Sequence, residues 1–172
     1  MTSYTHSKLM NQESYKHALA AQTDYSTNFT QMVEELCVKL SQFLEMKFYH
    51  DAHMDYSSSQ TIELWLDKAY KPVIERHDAD FLVAIFVSSK GRFFAARCRV
   101  RDAILPKVWN SVSSVELDQN IQHYLQEIAS VLKDNGYILI RDSILSELAQ
   151  GHRTRMDKLP ATVFQVLFTE IT

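Results

Sequence analysis

Glycine is scarce in this chain. Only Gly91, Gly136 and Gly151 occur in 172 residues, where average usage would place roughly 12. Catalytic loops recruit glycine because their backbone must take positive φ or come close to a phosphate. The scarcity excludes a Walker-type phosphate loop, a Gly-x-Gly-x-x-Gly dinucleotide turn and a Gly-x-Ser-x-Gly nucleophile elbow. Each of the three glycines sits instead where a chain reversal or a helix stop is expected. Cysteine is also rare. Cys37 and Cys98 have no metal-ligand spacing; one falls within a helical pattern and the other on the apolar side of a strand. That fits two buried thiols in a reducing compartment, with one disulfide or a reactive thiol as the alternatives. Long apolar runs are missing, and none approaches the ~20 residues of a membrane span. The first residues, Met1-Thr-Ser-Tyr-Thr-His, lack the basic start and apolar run of a signal peptide. A cytoplasmic location, without a membrane partner, is the default expectation.

A strong excess of one charge is absent too. Eighteen Lys and Arg stand against 21 Asp and Glu, a formal net charge of −3. This argues against a dedicated nucleic-acid binder, although a local basic stripe remains compatible with it. Hydrophobic residues at 46% and charged residues at 23% are an ordinary globular balance. The length suits one domain over 26–172, preceded by an N-terminal arm or short helix over 1–25.

Periodicity gives the elements. Phe29, Val33, Leu36, Leu40 and Phe43 recur at helical spacing, with Leu44 beside them, and predict a helix over about 28–48 capped by Ser26 or Thr27. A polar break ends in Ser57-Ser58-Ser59. Thr61–Asp67 alternates, as a half-buried strand does. Phe81–Val87 and Phe93–Val100 flank Ser89-Lys90-Gly91-Arg92 and predict a hairpin. With Lys90 and Gly91 as turn residues, Val87 faces Phe94, Ile85 faces Ala96, Val83 faces Cys98 and Phe81 faces Val100. Every pair is apolar, which pins the register. Leu117, Ile121, Leu125, Ile128 and Leu132 predict a second helix over about 115–134, capped by Ser113 or Ser114 and stopped at Asn135-Gly136. Tyr137–Ile140 reads as a short strand. Arg141–Gly151 is open between short helix and loop, His152–Lys158 reads as a basic loop, and Thr162–Ile171 as a final strand. The fold class expected is α+β, with an antiparallel or mixed sheet of about five strands and two main helices packed mainly on one face.

Four groups of residues could carry function. His50, Asp51, His53 and Asp55 are metal-capable side chains within six residues, and His77, Asp78 and Asp80 could complete such a site; the competing reading is a solvated loop after a helix. Arg97, Arg99 and Arg101 recur every second residue and so share a strand face with Leu82, Ala84, Phe86 and Ala95. Guanidinium groups mixed with half-covered apolar surface suit a protein interface or phosphate contacts. In the competing reading they pair with Glu63 and Asp67 across the sheet. Arg153 and Arg155 stand in the basic loop, which extends a binding surface or is simply solvated. Trp65, on the polar side of its strand, and Tyr56 and Trp109, in loops, are possible interface anchors. Nucleophilic catalysis has little support, since Cys37 lies inside a helix and no serine occupies a strained elbow. Glu34 and Glu35 read as a solvated helix face.

The stretches Leu132-Lys-Asp-Asn-Gly-Tyr-Ile-Leu-Ile and Thr162-Val-Phe-Gln-Val-Leu-Phe-Thr-Glu resemble, in pattern over about the last 60 residues, the C-terminal part of small immunity proteins. Those proteins neutralise polymorphic or contact-dependent bacterial toxins. The resemblance implies a cytoplasmic, non-catalytic α+β protein that binds one toxin domain and needs no cofactor; it carries over no site residue. The element order is also similar to that of helix-and-sheet secretion chaperones, which are usually more acidic. The leading expectation is therefore a protein-binding protein acting through Arg97, Arg99 and Arg101, with Trp65, Arg153 and Arg155 as further contacts. The alternatives are a metal-dependent enzyme at His50–Asp55, and a regulatory module using the arginine row.

Overall fold

In the computed structural model, residues 14–54, 57–66, 81–101, 109–112 and 119–169 are described. Residues 14–19 are helical (α1). The long helix α2 spans Thr27–Leu44. Its start is set by Ser26, whose hydroxyl accepts the Phe29 amide at 3.2 Å, as an N-cap should. Its end comes at Glu45, which takes a left-handed φ of 52°. The helix is thus shorter than the 28–48 expected, and Phe48 belongs instead to an edge strand. That strand, β1 (Phe48–Asp51), exists because Phe48 is buried opposite Leu64 while Asp51 faces out.

The remaining strands are β2 (Ser59–Leu66), β3 (Phe81–Ser88), β4 (Phe93–Arg101) and β5 (Trp109–Val112). Together with β1 they form one antiparallel run in sequence order. Trp109, expected in a loop, pairs with Arg101 in this run. Helix α3 (Gln119–Asp134) returns the chain to β6 (Ile138–Leu139), which pairs in parallel with the first residues of β4. The sheet is therefore mixed and six-stranded, with two main helices, an α+β architecture. The β3–β4 register is the one the apolar pattern dictates, from Val87 opposite Phe94 to Phe81 opposite Val100.

The two faces of the sheet hold two separate cores. On one, Ile62, Leu64, Val83, Ile85, Val87, Phe94 and Cys98 meet Phe29, Val33, Leu36 and Leu40 of α2 and Ile121, Ile128 and Leu132 of α3. Each such large apolar side chain contributes about 1.5–3 kcal/mol by leaving water. Phe43 does not join them and is exposed. Helix α3 stops in a Schellman arrangement, with Gly136 at φ 82° and the Tyr137 amide on the Leu132 carbonyl at 3.0 Å, as Asn135-Gly136 predicts. The other face carries Leu82, Ala84, Phe86, Phe93 and Ala95. It is covered by Tyr15, Ala18 and Leu19 from the N-terminal segment and by Leu145, Val163, Val166, Leu167 and Phe168.

That second cover is where the fold departs most from expectation. Residues 141–153 resolve into a single turn of helix, α4 (Asp142–Leu145), and a strand, β7 (Leu148–Arg153). β7 pairs with β8 (Pro160–Thr162) as a separate two-stranded sheet. The final strand expected over Thr162–Ile171 ends at Thr162, and Gln165–Thr169 coil into a π-helical turn. The reason lies in the serines. The hydroxyls of Ser57 and Ser59 both donate to the Phe168 carbonyl at 2.6 Å. Ser58 donates to Val166 at 2.9 Å and Ser88 to Leu167 at 2.9 Å. A helical turn facing four hydroxyls leaves none of these three carbonyls unpaired in the interior, and Val166, Leu167 and Phe168 stay buried.

Candidate functional site

The metal-capable residues of 50–55 do not converge. On β1, successive side chains point to opposite faces. His50 turns toward buried Gln60, donating from Nε2 to its Oε1 at 2.8 Å, while the Gln60 amide donates to Thr30 Oγ1 at 2.8 Å. Asp51 points the other way and binds its near neighbour His53, through the ring at 2.7 Å and the backbone amide at 3.0 Å. Burial works to raise the Asp51 pKa. The two hydrogen bonds from His53 and the charges of His53 and His50 outweigh it, so the carboxyl rests below its usual range. Asp55, Tyr56, Asp67, His77, Asp78 and Asp80 lie outside the described residues. Among the described residues no group of three or more His, Cys, Asp or Glu is placed to hold a metal ion. Cys37 and Cys98 are free and buried. Burial pushes the Cys98 thiol up to about 12 and, with the charge of Glu34 adding, raises Cys37 as well, the reverse of what a nucleophile needs.

The arginine row stands on the face the register requires, with Arg97 opposite Ala84 and Arg99 opposite Leu82. The expected half-covered apolar patch is in fact closed: Leu82, Ala84, Phe86 and Ala95 are all buried. The pairing with Glu63 is not made. Glu63 lies opposite Ala84, one strand too far away, and its carboxylate accepts the Trp65 indole N–H at 3.1 Å. Aromatic rings take the place of the acid. The Arg97 guanidinium lies 3.7 Å over the Phe164 ring, and Arg99 sits 5.9 Å from the centre of Phe86, both cation–π contacts. Burial disfavours the Arg97 charge, Asp142 at the start of α4 supports it, and Arg99 opposes it, for a net lowering. Arg97 and Arg99 remain half-buried and Trp65 is 40% exposed. Arg101 ends β4 opposite Trp109, its side chain lying outside the described residues.

The basic loop is the better-formed surface. It is the ordered tip of the β7–β8 hairpin rather than a loose connection. The Thr154 amide donates to the Leu159 carbonyl at 2.8 Å and the Leu159 amide to Thr154 Oγ1 at 3.1 Å. Asp157 accepts from both the Thr154 hydroxyl and the Leu159 amide, which holds its carboxyl below the usual range. Lys158 takes a φ of 58°, and Arg153 Nη1 donates to its carbonyl at 2.8 Å. The base is anchored by buried Ala149 and Ala161. At this tip Met156 is 94% exposed and Leu159 58%, with Arg153 and Arg155 exposed beside them, while Leu148, 63% exposed, stands at the far end of β7 opposite Thr162. The sequence reading picked out the two arginines but not these apolar neighbours. Met156 set between Arg155 and Asp157 was the available signal.

Comparison with protein-family models, curated proteins and solved structures finds no match to this chain. Among the described residues no helix is long and apolar enough to cross a membrane.

Proposed function

We propose that this chain is a non-catalytic protein-binding protein that engages one protein partner, and that the partner is a toxin domain which it neutralises. The observation that carries the binding reading is the β7–β8 hairpin, whose hydrogen-bonded tip holds Met156 and Leu159 in solvent beside Arg153 and Arg155. A tip whose backbone is already hydrogen-bonded avoids the cost of ordering a loop on binding, and neighbouring arginines supply charge-assisted contacts and steer association. The half-buried Arg97 and Arg99, with the 40% exposed Trp65, are the second contact area of this reading. The toxin reading rests on the resemblance of 132–140 and 162–170 to immunity proteins. Its test is calorimetric titration of the purified chain with the product of the neighbouring gene. Saturable one-to-one binding that suppresses that product's toxicity supports the reading, and absence of binding contradicts it.

A further reading, a regulatory module that uses the arginine row on nucleic acid, is separated by salt. Phosphate contacts weaken steeply as salt rises, whereas an interface centred on Met156 does not.

A further inference from the structure

The hairpin tip has a second property besides its shape, and it lies in one atom. Met156 is 94% exposed, so its thioether sulfur stands in solvent. The sulfurs elsewhere among the described residues are shielded. Met54 is buried, and its Sδ accepts from Gln60 Nε2 at 3.6 Å. Met32 and Met46 are half-buried, packed against the core that α2 and α3 form with the sheet. Cys37 and Cys98 are buried thiols.

The two kinds of sulfur also differ in chemistry. A thiol meets oxidants as its thiolate, and burial raises the pKa of both cysteines. A thioether has no proton to lose, so its lone pair is available at any pH. Position decides the rest. The hydrogen bonds that hold the tip run through Thr154, Asp157 and Leu159. None of them uses the Met156 side chain, so a change at its sulfur alters the surface and leaves the turn closed. Methionine sulfoxide is polar where the thioether was apolar, and burying it against a partner carries a desolvation cost.

We propose that Met156 is a reversible oxidation site, and that hydrogen peroxide, by converting it to the sulfoxide, releases the protein partner from the hairpin tip. The inference rests on the reading of that tip as the partner-binding surface. In the reaction a sulfur lone pair attacks one peroxide oxygen. The S–O bond forms as the O–O bond breaks, and the departing hydroxide takes the proton of the transferred hydroxyl. The products are the sulfoxide and water, with sulfur oxidised by two electrons and the peroxide reduced by two.

The test is treatment of the full chain with graded hydrogen peroxide, read by peptide mass mapping, then calorimetric titration with the product of the neighbouring gene. The sulfoxide is expected at Met156 before Met32, Met46 or Met54, with the melting temperature held. Oxidation is expected to weaken the partner about ten- to hundredfold, the worth of burying one methionine side chain. Methionine sulfoxide reductases of both epimer specificities are expected to restore the affinity. In Met156→Leu, whatever its own affinity, peroxide is expected to change nothing. Oxidation of Met54 ahead of Met156 overturns the site itself. Undiminished binding by the oxidised chain, or an equal loss in oxidised Met156→Leu, overturns the release and leaves the partner reading standing. Absence of binding by the untreated chain contradicts that reading, and the release with it.

Discussion

The Arg97 guanidinium stacks 3.7 Å over the ring of Phe164. This contact joins the arginine row of β4 to the segment that leads into the C-terminal π-helical turn, and it replaces the acidic partner the row was expected to find on β2. Its strength is open to measurement by a double-mutant cycle. Arg97→Ala and Phe164→Leu, singly and together, followed by urea denaturation, should give a coupling of about 1 kcal/mol, since the site is still partly open to water. Additive losses would show that the stack contributes nothing of its own.

The serine cluster should control the C-terminus. Ser59→Ala removes one of two hydroxyls on the Phe168 carbonyl, whereas Ser58→Ala and Ser88→Ala each remove the hydroxyl that satisfies Val166 or Leu167. The latter two should cost about 1–3 kcal/mol each and Ser59→Ala less, because Ser57 remains. Amide exchange over 165–169 should quicken most in the Ser58 and Ser88 variants. Equal protection in all three would contradict the capping account.

Tyr137 carries the opposite signature. Its hydroxyl is buried and has no hydrogen-bond partner among the described residues, and burial raises its pKa. Tyr137→Phe removes an unsatisfied polar atom and keeps the ring under Arg92. Stability should hold or rise by up to about 1 kcal/mol. A clear loss on chemical denaturation would mean that the hydroxyl is satisfied in solution.

His152 gives a pH dependence with a definite sign. Its folded pKa lies below the ordinary 6.5, first through burial and then through Lys90. At pH values between those two, the unfolded chain binds the proton more readily. Its contribution to stability is therefore whole above pH 6.5 and declines as pH falls toward the folded value. Thermal melts of His152→Gln should lose this part of the decline between pH 7 and 5. Parallel curves for the two proteins would contradict the assignment.

Much of the scaffold could be read from residue pattern. The four apolar cross-strand pairs, the Ser26 cap and the Gly136 stop depend on local chemistry, and the structure has all of them. Strand β1 was hidden because Phe48 continued the helical spacing of Phe43 and Leu44, while the break depends on Glu45 turning left-handed. The C-terminal turn was hidden because Val163, Phe164, Val166 and Phe168 favour a strand by composition. Its helical form depends on serines more than 75 residues away in sequence. For the same reason the hairpin tip was visible only as a basic loop: its order comes from Thr154 and Asp157 bonds that no periodicity reports.

The central claim, that this protein works by offering the hairpin tip to a partner, is tested most directly by Met156→Asp with Arg155→Glu. The wild-type chain and this variant, matched in melting temperature, are each titrated with the cognate partner in a calorimeter. Burial of Met156 and loss of the Arg155 charge predict at least a hundredfold weakening. Undiminished affinity in the variant would contradict it.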